Sequence, residues 1–381
     1  MLQIIETEVE LANPIGQHRH CLVAQIPNVL KRTDIGYVVA DPERQWETVR
    51  SVFDVAARGD GPLKRLNFLL LPEGCVSFTR FDDTIGVIDT KMRPNTVTMF
   101  GLEHVRLATY RALLKRFAED NAQALRLLEE DIESASSLEM PVNVCCIVVK
   151  EASGPPRVFL EAKGHPFRGE EFLEKARDLY RGRHVYLFRA RPAYNFMALV
   201  CLDYLYRDLY SSNLRQIVDH ANQLYFASRQ GLDALFVVQC NPKPEHRAYR
   251  DVLNGFYGEY LEDTPGVRDT ATVFGNCSDD SAVEGCTSGF GVSSVVIAGQ
   301  HRLAQADLAE FSSDDFDGAP ICRLRFGSGT RLYYFNLPIH HELDPRSSRI
   351  PLKVHAVLRR AATGEWVKSN GAPTLDCDVR C

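Results

Sequence analysis

Three short apolar stretches, each ending near a residue that can take part in chemistry, constrain the fold of this chain most. The first leads to Glu73, the second to Lys163 and the third to Cys201; the stretches are residues 67–71, 157–162 and 196–200. Their composition predicts buried strands. Ligand sites of open α/β layers form at the carboxyl ends of strands, so we expect these three side chains to meet at one site.

The residues beside each chemical group fit this interpretation. Pro72 and Gly74 flank Glu73 and break its strand, so the carboxylate is expected in a turn. Lys163 comes just before a turn, and Cys201 ends its apolar run with an acidic residue two positions later. Cys201 taken alone is typical of a packed, inert core thiol. The pattern of all three together therefore carries the functional hypothesis.

The order Leu-Pro-Glu, then strand-Lys-x-His, then strand-Cys-x-Asp resembles the nitrilase, or carbon-nitrogen hydrolase, superfamily. The resemblance covers residues 34–299. It implies an α/β fold of the nitrilase type, a four-layer α-β-β-α sandwich, and a Glu-Lys-Cys catalytic triad. Relatives place a second glutamate after the lysine, near the nucleophile. Glu171 is our choice for it, although a solvated acidic helix start explains Glu171 equally well.

The hydrolysis of a carbon-nitrogen bond in an amide, nitrile or ureido group assigns a role to each residue. Cys201 is the nucleophile, and it passes through a thioester or thioimidate. Glu73 is the base that takes the thiol proton and later activates water. Lys163 favours the thiolate and holds the oxyanion together with the backbone N–H of Leu202. We expect no cofactor and no metal.

A second hypothesis keeps the same contacts without catalysis. A buried lysine and a buried glutamate must be paired, so Glu73 and Lys163 also fit a salt bridge that locks strands beside an inert Cys201. The protein would then be a nitrilase-like scaffold or effector that acts through protein contacts. Reactivity of the Cys201 thiol separates the two hypotheses.

The division of the chain follows the resemblance. Residues 1–33 are expected as an N-terminal extension, residues 34–299 as the hydrolase domain, and residues 300–381 as strands and a tail that complete the sandwich or an oligomer contact. Residues 34–40 are predicted as the first core strand, and Asp41 as the N-cap of a helix with Pro42 at its first position. A helical insertion at about 100–138 is expected to be a surface helix, a dimer contact or a lid.

Composition narrows the class of partners. The 381 residues carry a formal net charge of −6, without the basic excess that nucleic acid or an anionic membrane attracts. Apolar runs are shorter than the about 20 residues of a bilayer span, and the beginning lacks a secretion signal. The 11 cysteines, an odd number, favour a reducing compartment. We expect a cytoplasmic homodimer or higher homo-oligomer with a small-molecule substrate, and neither nucleic acid nor membrane as partner.

Overall fold

The structure, a computed structural model, describes the greater part of the chain. The described residues are 2–11, 18–58, 63, 66–134, 137–171, 179–191, 194–207, 212–228, 230–244, 246–257, 264, 266–267, 269–286, 289–298, 311–315, 321–339 and 352–369. In this part of the chain the fold is mixed α/β.

Strands make up most of the described elements. They are β1 (Gln3–Glu10), β2 (His18–Gln25), β3 (Val29–Thr33), β4 (Gly36–Val39), β5 (Leu66–Leu70), β6 (Thr96–Gly101), β7 (Val105–Arg106), β8 (Pro141–Val142), β9 (Val144–Lys150), β10 (Arg157–Ala162), β11 (His184–Arg191), β12 (Tyr194–Val200), β13 (Leu232–Val238), β14 (Ala271–Gly275), β15 (Ala282–Val283), β16 (Ser294–Ala298), β17 (Phe311–Asp315), β18 (Ile321–Phe326), β19 (Arg331–Pro338), β20 (Val354–Arg360) and β21 (Trp366–Lys368).

The helices alternate with strands in the first two thirds of the chain. They are α1 (Pro42–Ala57), α2 (Phe81–Lys91), α3 (Leu107–Arg116), α4 (Ala118–Ser134), α5 (Arg168–Glu171), α6 (Asn213–Tyr225) and α7 (Arg247–Gly255), with short 3-10 helices at Phe78–Arg80 and Cys201–Asp203. The predicted start of α1 is confirmed, because Asp41 caps it and accepts a hydrogen bond from the Arg44 N–H at 3.1 Å. None of the described helices is long and apolar enough to cross a membrane.

The described strands form two large sheets. The first sheet has the order β1-β11-β12-β13-β14-β16-β18-β17, and β12, β13 and β14 run parallel at its centre. The second has the order β10-β9-β6-β5-β2-β19-β20-β21, with β2, β5 and β6 parallel. β9 is antiparallel to both β6 and β10. The strands β5 and β10 therefore run in the same direction, and their carboxyl ends lie at the same edge of the second sheet.

Aromatic side chains pack between the two sheets. Phe68 of β5 contacts the rings of Phe196 and Phe236 in the first sheet, with centroids 5.1 and 4.8 Å apart. Phe159 of β10 meets Phe188 of β11 at 5.0 Å. Both strands of the second sheet that precede the predicted site thus present apolar side chains to the first sheet. Burial of this surface on both sheets is the main stabilising contribution to such a core.

Helices cover the outer faces of both sheets. On the first sheet, the apolar sides of α6 and α7 pack against residues of β11 to β14, as Ile217 and Leu253 do in one buried cluster with Leu235. On the second sheet, α2 contacts β9 and α4 contacts β10. The helical insertion therefore packs on a strand of the second sheet through residues such as Leu128 of α4, which is buried.

The first core strand is not the predicted one. Residues 36–39 form β4, which belongs to a separate three-stranded sheet with β3 and β15, whereas β2 lies between β5 and β19 in the second sheet. Residues 34–40 therefore contain the predicted strand, at Gly36–Val39, but the prediction that it is the first core strand is wrong. In the sequence, residues 18–24 fit an added strand with a polar lead-in, and they lie in β2, whose eight residues are all buried. Strands before residue 34 and after residue 299 enter both large sheets. The segments 184–188 and 195–202 are predicted from sequence to pair as neighbouring strands across residues 189–194, and the antiparallel pairing of β11 with β12 confirms this.

Candidate active site

Glu73 lies in the turn after β5, and hydrogen bonds from two directions hold this turn. Its N–H donates to the carbonyl oxygen of Gln239, which follows β13, at 3.3 Å. Its own carbonyl oxygen accepts from Asn28 Nδ2 at 2.8 Å. Gly74 follows with φ +67°, in the left-handed region that favours glycine. The sequence Pro-Glu-Gly therefore ends the strand and fixes the direction of the Glu73 carboxylate.

Lys163 follows β10 and is fully buried between two carboxylates. Its Nζ lies 2.8 Å from Glu73 Oε1 and 2.9 Å from Glu170 Oε2. Burial by itself lowers the pKa of the Lys163 ammonium, but Glu170 and Glu73 outweigh burial and raise this pKa well above its ordinary value. Lys163 is therefore a permanent cation that joins two acidic groups.

Glu170, and not Glu171, is the second glutamate of the site. Burial opposes ionisation of Glu170, yet Lys163 and His104 lower its pKa below the ordinary value. Its Oε2 also accepts the Phe167 N–H at 2.9 Å. Glu171 is the next residue of the same short helix, and its side chain is exposed. The prediction that Glu171 lies near the nucleophile is therefore wrong, because neighbouring helical residues point in directions about 100° apart.

Two further polar residues complete the carboxylate cluster. Asn143, between β8 and β9, donates from Nδ2 to Glu73 Oε1 at 2.7 Å and to Glu170 Oε1 at 2.9 Å. His104 Nδ1 accepts the Tyr37 N–H at 3.1 Å, so its proton lies on Nε2, which donates to Glu170 Oε1 at 3.1 Å. A neutral imidazole thus satisfies the second glutamate and brings no additional charge.

Cys201 occupies a strained backbone position directly after β12. Its φ is +45°, a conformation that costs a non-glycine residue about 1–3 kcal/mol and is typical of functional sites. Burial raises the pKa of its thiol above the ordinary value; Glu73 raises it further, and Lys163 lowers it. The resting sulfur is therefore protonated. Its Sγ lies 3.7 Å from the hydroxyl oxygen of Tyr249.

Asp203 ties the cysteine turn to the lysine turn. Its carboxylate accepts hydrogen bonds from the N–H of Gly164 at 3.1 Å and of His165 at 2.8 Å, and it lies 3.0 Å from His165 Nδ1. The His165 ring stacks on Tyr206 with centroids 3.4 Å apart. A movement of the Cys201 turn would therefore disturb the turn that follows Lys163.

One cavity of about 320 Å³ joins these groups. Glu73, Lys163 and Cys201 all line it. The rest of its wall is largely apolar and includes Leu30, Tyr37, Phe167, Leu202, Pro242 and Val283. A volume of this size accommodates a small molecule. The three predicted side chains thus meet around one space that a substrate could occupy.

The sequence predictions missed Glu170, Asn143 and His104. Asn143 is a polar residue inside the apolar run 142–149, and His104 follows shortly after β6. The argument that the carboxyl ends of strands carry chemistry would have pointed to His104, which follows β6, but not to Asn143, which precedes β9. Leu202, predicted for the oxyanion, lines the cavity. In the part of the chain that the structure describes, no group of three or more His, Cys, Asp or Glu residues is arranged to hold a metal ion.

No family model matches this chain, and no curated protein matches it. Conclusions about its chemistry therefore depend on the geometry of the site and on the order of its motifs.

Proposed function

We propose that this protein is a thiol-dependent hydrolase of a non-peptide carbon-nitrogen bond, a divergent relative of the nitrilase superfamily. The observation that carries the proposal is the Lys163 ammonium, held between Glu73 and Glu170 on the wall of a cavity that Cys201 also lines. Two facing sheets with helices on their outer faces support the nitrilase-type α-β-β-α sandwich as the finer description of the fold.

The first half of the reaction forms an acyl-enzyme. Glu73 takes the proton of the Cys201 thiol as the sulfur attacks the substrate carbon, and a carbon-sulfur bond forms. Because the raised thiol pKa disfavours a free thiolate, proton transfer accompanies the attack. Negative charge then develops on the substrate oxygen or nitrogen. The Lys163 ammonium and the Leu202 N–H stabilise this charge, and donors of this kind are commonly worth about 3 kcal/mol.

The second half of the reaction returns the enzyme to its resting state. Glu73 gives its proton to the leaving nitrogen, the carbon-nitrogen bond breaks, and ammonia departs. Glu73 next takes a proton from water, whose oxygen attacks the thioester carbon. The carbon-sulfur bond breaks, the sulfur regains a proton, and a carboxylate leaves. A nitrile follows the same route through a thioimidate and consumes one more water.

The acid-base role of Glu73 requires the second glutamate to remain fixed in charge. Glu170 accepts hydrogen bonds from His104, Asn143 and Phe167 and has a lowered pKa, so it stays ionised while Glu73 changes its protonation. Glu170 thereby keeps Lys163 protonated and oriented. The largely apolar wall favours a small acyl part, and Asn241 and Lys243 on the same wall offer polar contacts.

Ammonia release by the purified chain tests the proposal. A panel of short aliphatic amides, nitriles, ureido acids and glutamine is the substrate set, and Cys201→Ala is the inactive variant. We expect at least one substrate to release ammonia, a loss of at least about a thousandfold in Cys201→Ala, and an acyl adduct on Cys201 in the intact-protein mass spectrum.

Cys145→Ala is the matched control, because it removes another buried thiol that does not line the cavity. This variant should keep the rate constant of the wild type. A folded wild-type chain that releases no ammonia from any of these substrates and forms no adduct would favour the inactive scaffold or effector instead.

A further inference from the structure

Tyr249 is a buried group at the reacting sulfur for which the mechanism above has no role. It lies in α7, 6% of its surface is exposed, and its hydroxyl oxygen is 3.7 Å from Cys201 Sγ. Its ring packs edge-on against Phe274 of β14, with an interplanar angle of 83°. Phe274 in turn packs edge-on against Tyr204, in the turn that carries Cys201. These contacts fix the hydroxyl beside the sulfur.

The charges around the sulfur explain why a hydroxyl is useful there. Glu73 and Glu170 line the cavity beside Cys201 with the Lys163 ammonium between them, and Lys243 lines the same cavity. Glu73 and Glu170 both raise the pKa of the thiol. A sulfur that must become an anion in this setting needs hydrogen-bond donors. Lys163 already forms ion pairs with Glu73 and Glu170, whereas the Tyr249 hydroxyl can donate a hydrogen bond to the sulfur without adding charge.

We propose that Tyr249 is a catalytic residue that donates a hydrogen bond to Cys201 Sγ as the sulfur becomes anionic. Tyr249 keeps its proton throughout, and Glu73 carries the proton that moves. The contact acts twice in each turnover: when the thiol loses its proton, and when the sulfur leaves the second tetrahedral intermediate. This inference rests on the proposed hydrolase for its catalytic meaning, but the contact itself alters the reactivity of the thiol in the free protein.

The test is the rate of Cys201 alkylation by iodoacetamide as a function of pH, followed by peptide mass spectrometry. A hydrogen bond to a charged group predicts that Tyr249→Phe lowers this rate at neutral pH by about tenfold to a hundredfold. It should also shift the midpoint of the labelling curve to higher pH. If ammonia is released, kcat should fall by a similar factor with KM nearly unchanged.

Tyr257→Phe is the matched control. Tyr257 is also buried and follows directly on α7, but its hydroxyl bonds Thr270, Thr272 and Val296. A purely structural effect of losing a buried hydroxyl would appear in this variant too. We expect a lower melting temperature for Tyr257→Phe and an unchanged labelling curve of Cys201.

Fluorotyrosine at position 249 provides a second variant that preserves the shape of the side chain. Its more acidic hydroxyl is a stronger donor, so Cys201 should be alkylated several-fold faster at neutral pH.

An unchanged labelling curve in either variant of Tyr249 overturns the inference. If Tyr249→Phe slows labelling but no substrate releases ammonia, the contact stands and the hydrolase fails. If ammonia is released and Tyr249→Phe leaves both the labelling rate and kcat unchanged, the hydrolase stands and the proposed role of Tyr249 fails.

Discussion

The buried carboxyls of Glu161 and Glu170 have pKa values shifted in opposite directions. Glu161 lies inside β10, and Lys163, which contacts Glu170, lies two residues later, just beyond the end of the strand. Burial raises the pKa of the Glu161 carboxyl well above its ordinary value; the hydrogen bond from the Tyr186 N–H lowers this pKa only in part, and Asp203 raises it further. Glu170 is buried to the same degree, yet its pKa is lowered by Lys163. Partners therefore decide ionisation here, and burial alone does not.

The thiols show the same contrast between the sheet interior and the cavity edge. Cys145 is the register partner of Glu161 on β9, and its neighbour Cys146 is equally buried. Burial raises the pKa of both thiols, as it does for Cys201. Cys201 differs in its strained backbone and in the cavity beside it. The edge of the sheet thus provides charge, access and strain, and the interior provides none of them.

The largest expected effect is on alkylation. Cys201 can meet iodoacetamide through the cavity, whereas Cys145 and Cys146 become accessible only when the sheet opens, which costs a large part of the free energy of unfolding. Cys201 should therefore be labelled at least about a thousandfold faster than either interior thiol. Peptide mass spectrometry over time measures all three. Equal labelling rates would remove the distinction between edge and interior.

The second prediction concerns the charges on either side of the strand end. Lys163→Met leaves two buried carboxylates without their cation, so it should lower the free energy of unfolding by about 3–5 kcal/mol in urea titrations at neutral pH. Glu161→Gln removes a carboxyl whose pKa burial raises, so it should not lower the free energy of unfolding at neutral pH. Equal losses in the two variants would contradict the comparison.

The third prediction uses pH to separate the two kinds of buried glutamate. The lowered pKa of Glu170 stabilises the folded state above its unfolded pKa of about 4.3, and this contribution is lost as pH falls toward about 2. Glu170→Gln should therefore cost about 1.5–3 kcal/mol at pH 7, and less as the pH falls below about 4. Thermal melts across this pH range measure the difference.

Glu161 should show the opposite sign. Its raised pKa means that the folded state holds a proton that the unfolded state releases above a pH of about 4.3, so its contribution to stability declines as pH rises. Glu161→Gln should gain stability relative to the wild type over that rise. Glu171→Gln, on the exposed neighbour of Glu170, is the control and should stay within about 0.5 kcal/mol at every pH. If the stability of Glu161→Gln varied with pH in parallel with that of the wild type, the raised pKa of Glu161 would be contradicted.

A further prediction concerns a glycine where strand and site meet. A Cβ at Gly101, the last residue of β6, would overlap backbone atoms of Glu73 and Gly74. Gly101→Ala should displace the Glu73 turn, lower stability by about 1–3 kcal/mol and reduce ammonia release at least tenfold. Gly86→Ala in α2 meets nothing within 4 Å and should raise stability by up to about 1 kcal/mol. Full activity in Gly101→Ala would show that the turn tolerates movement.

Local sequence signals were sufficient to predict several of the strands and one helix start. The capped start of α1, the strands before Glu73, Lys163 and Cys201, and the pairing of β11 with β12 follow from the composition of short segments, because neighbours along the chain determine caps, turns and apolar runs. The same signals placed three reactive residues at strand ends. The cavity that they share was an expectation from the general behaviour of α/β layers.

Only the tertiary structure decided which residues complete the site. Glu170 and Glu171 are equivalent in sequence, and the packing of one four-residue helix buries the first and exposes the second. Asn143 and Tyr249 contribute to the site from segments whose sequences do not indicate that a site is there. Their roles depend on distances between strands and helices far apart in the chain. Composition determines what a segment prefers, whereas the burial and charge of its neighbours determine what its side chains can do.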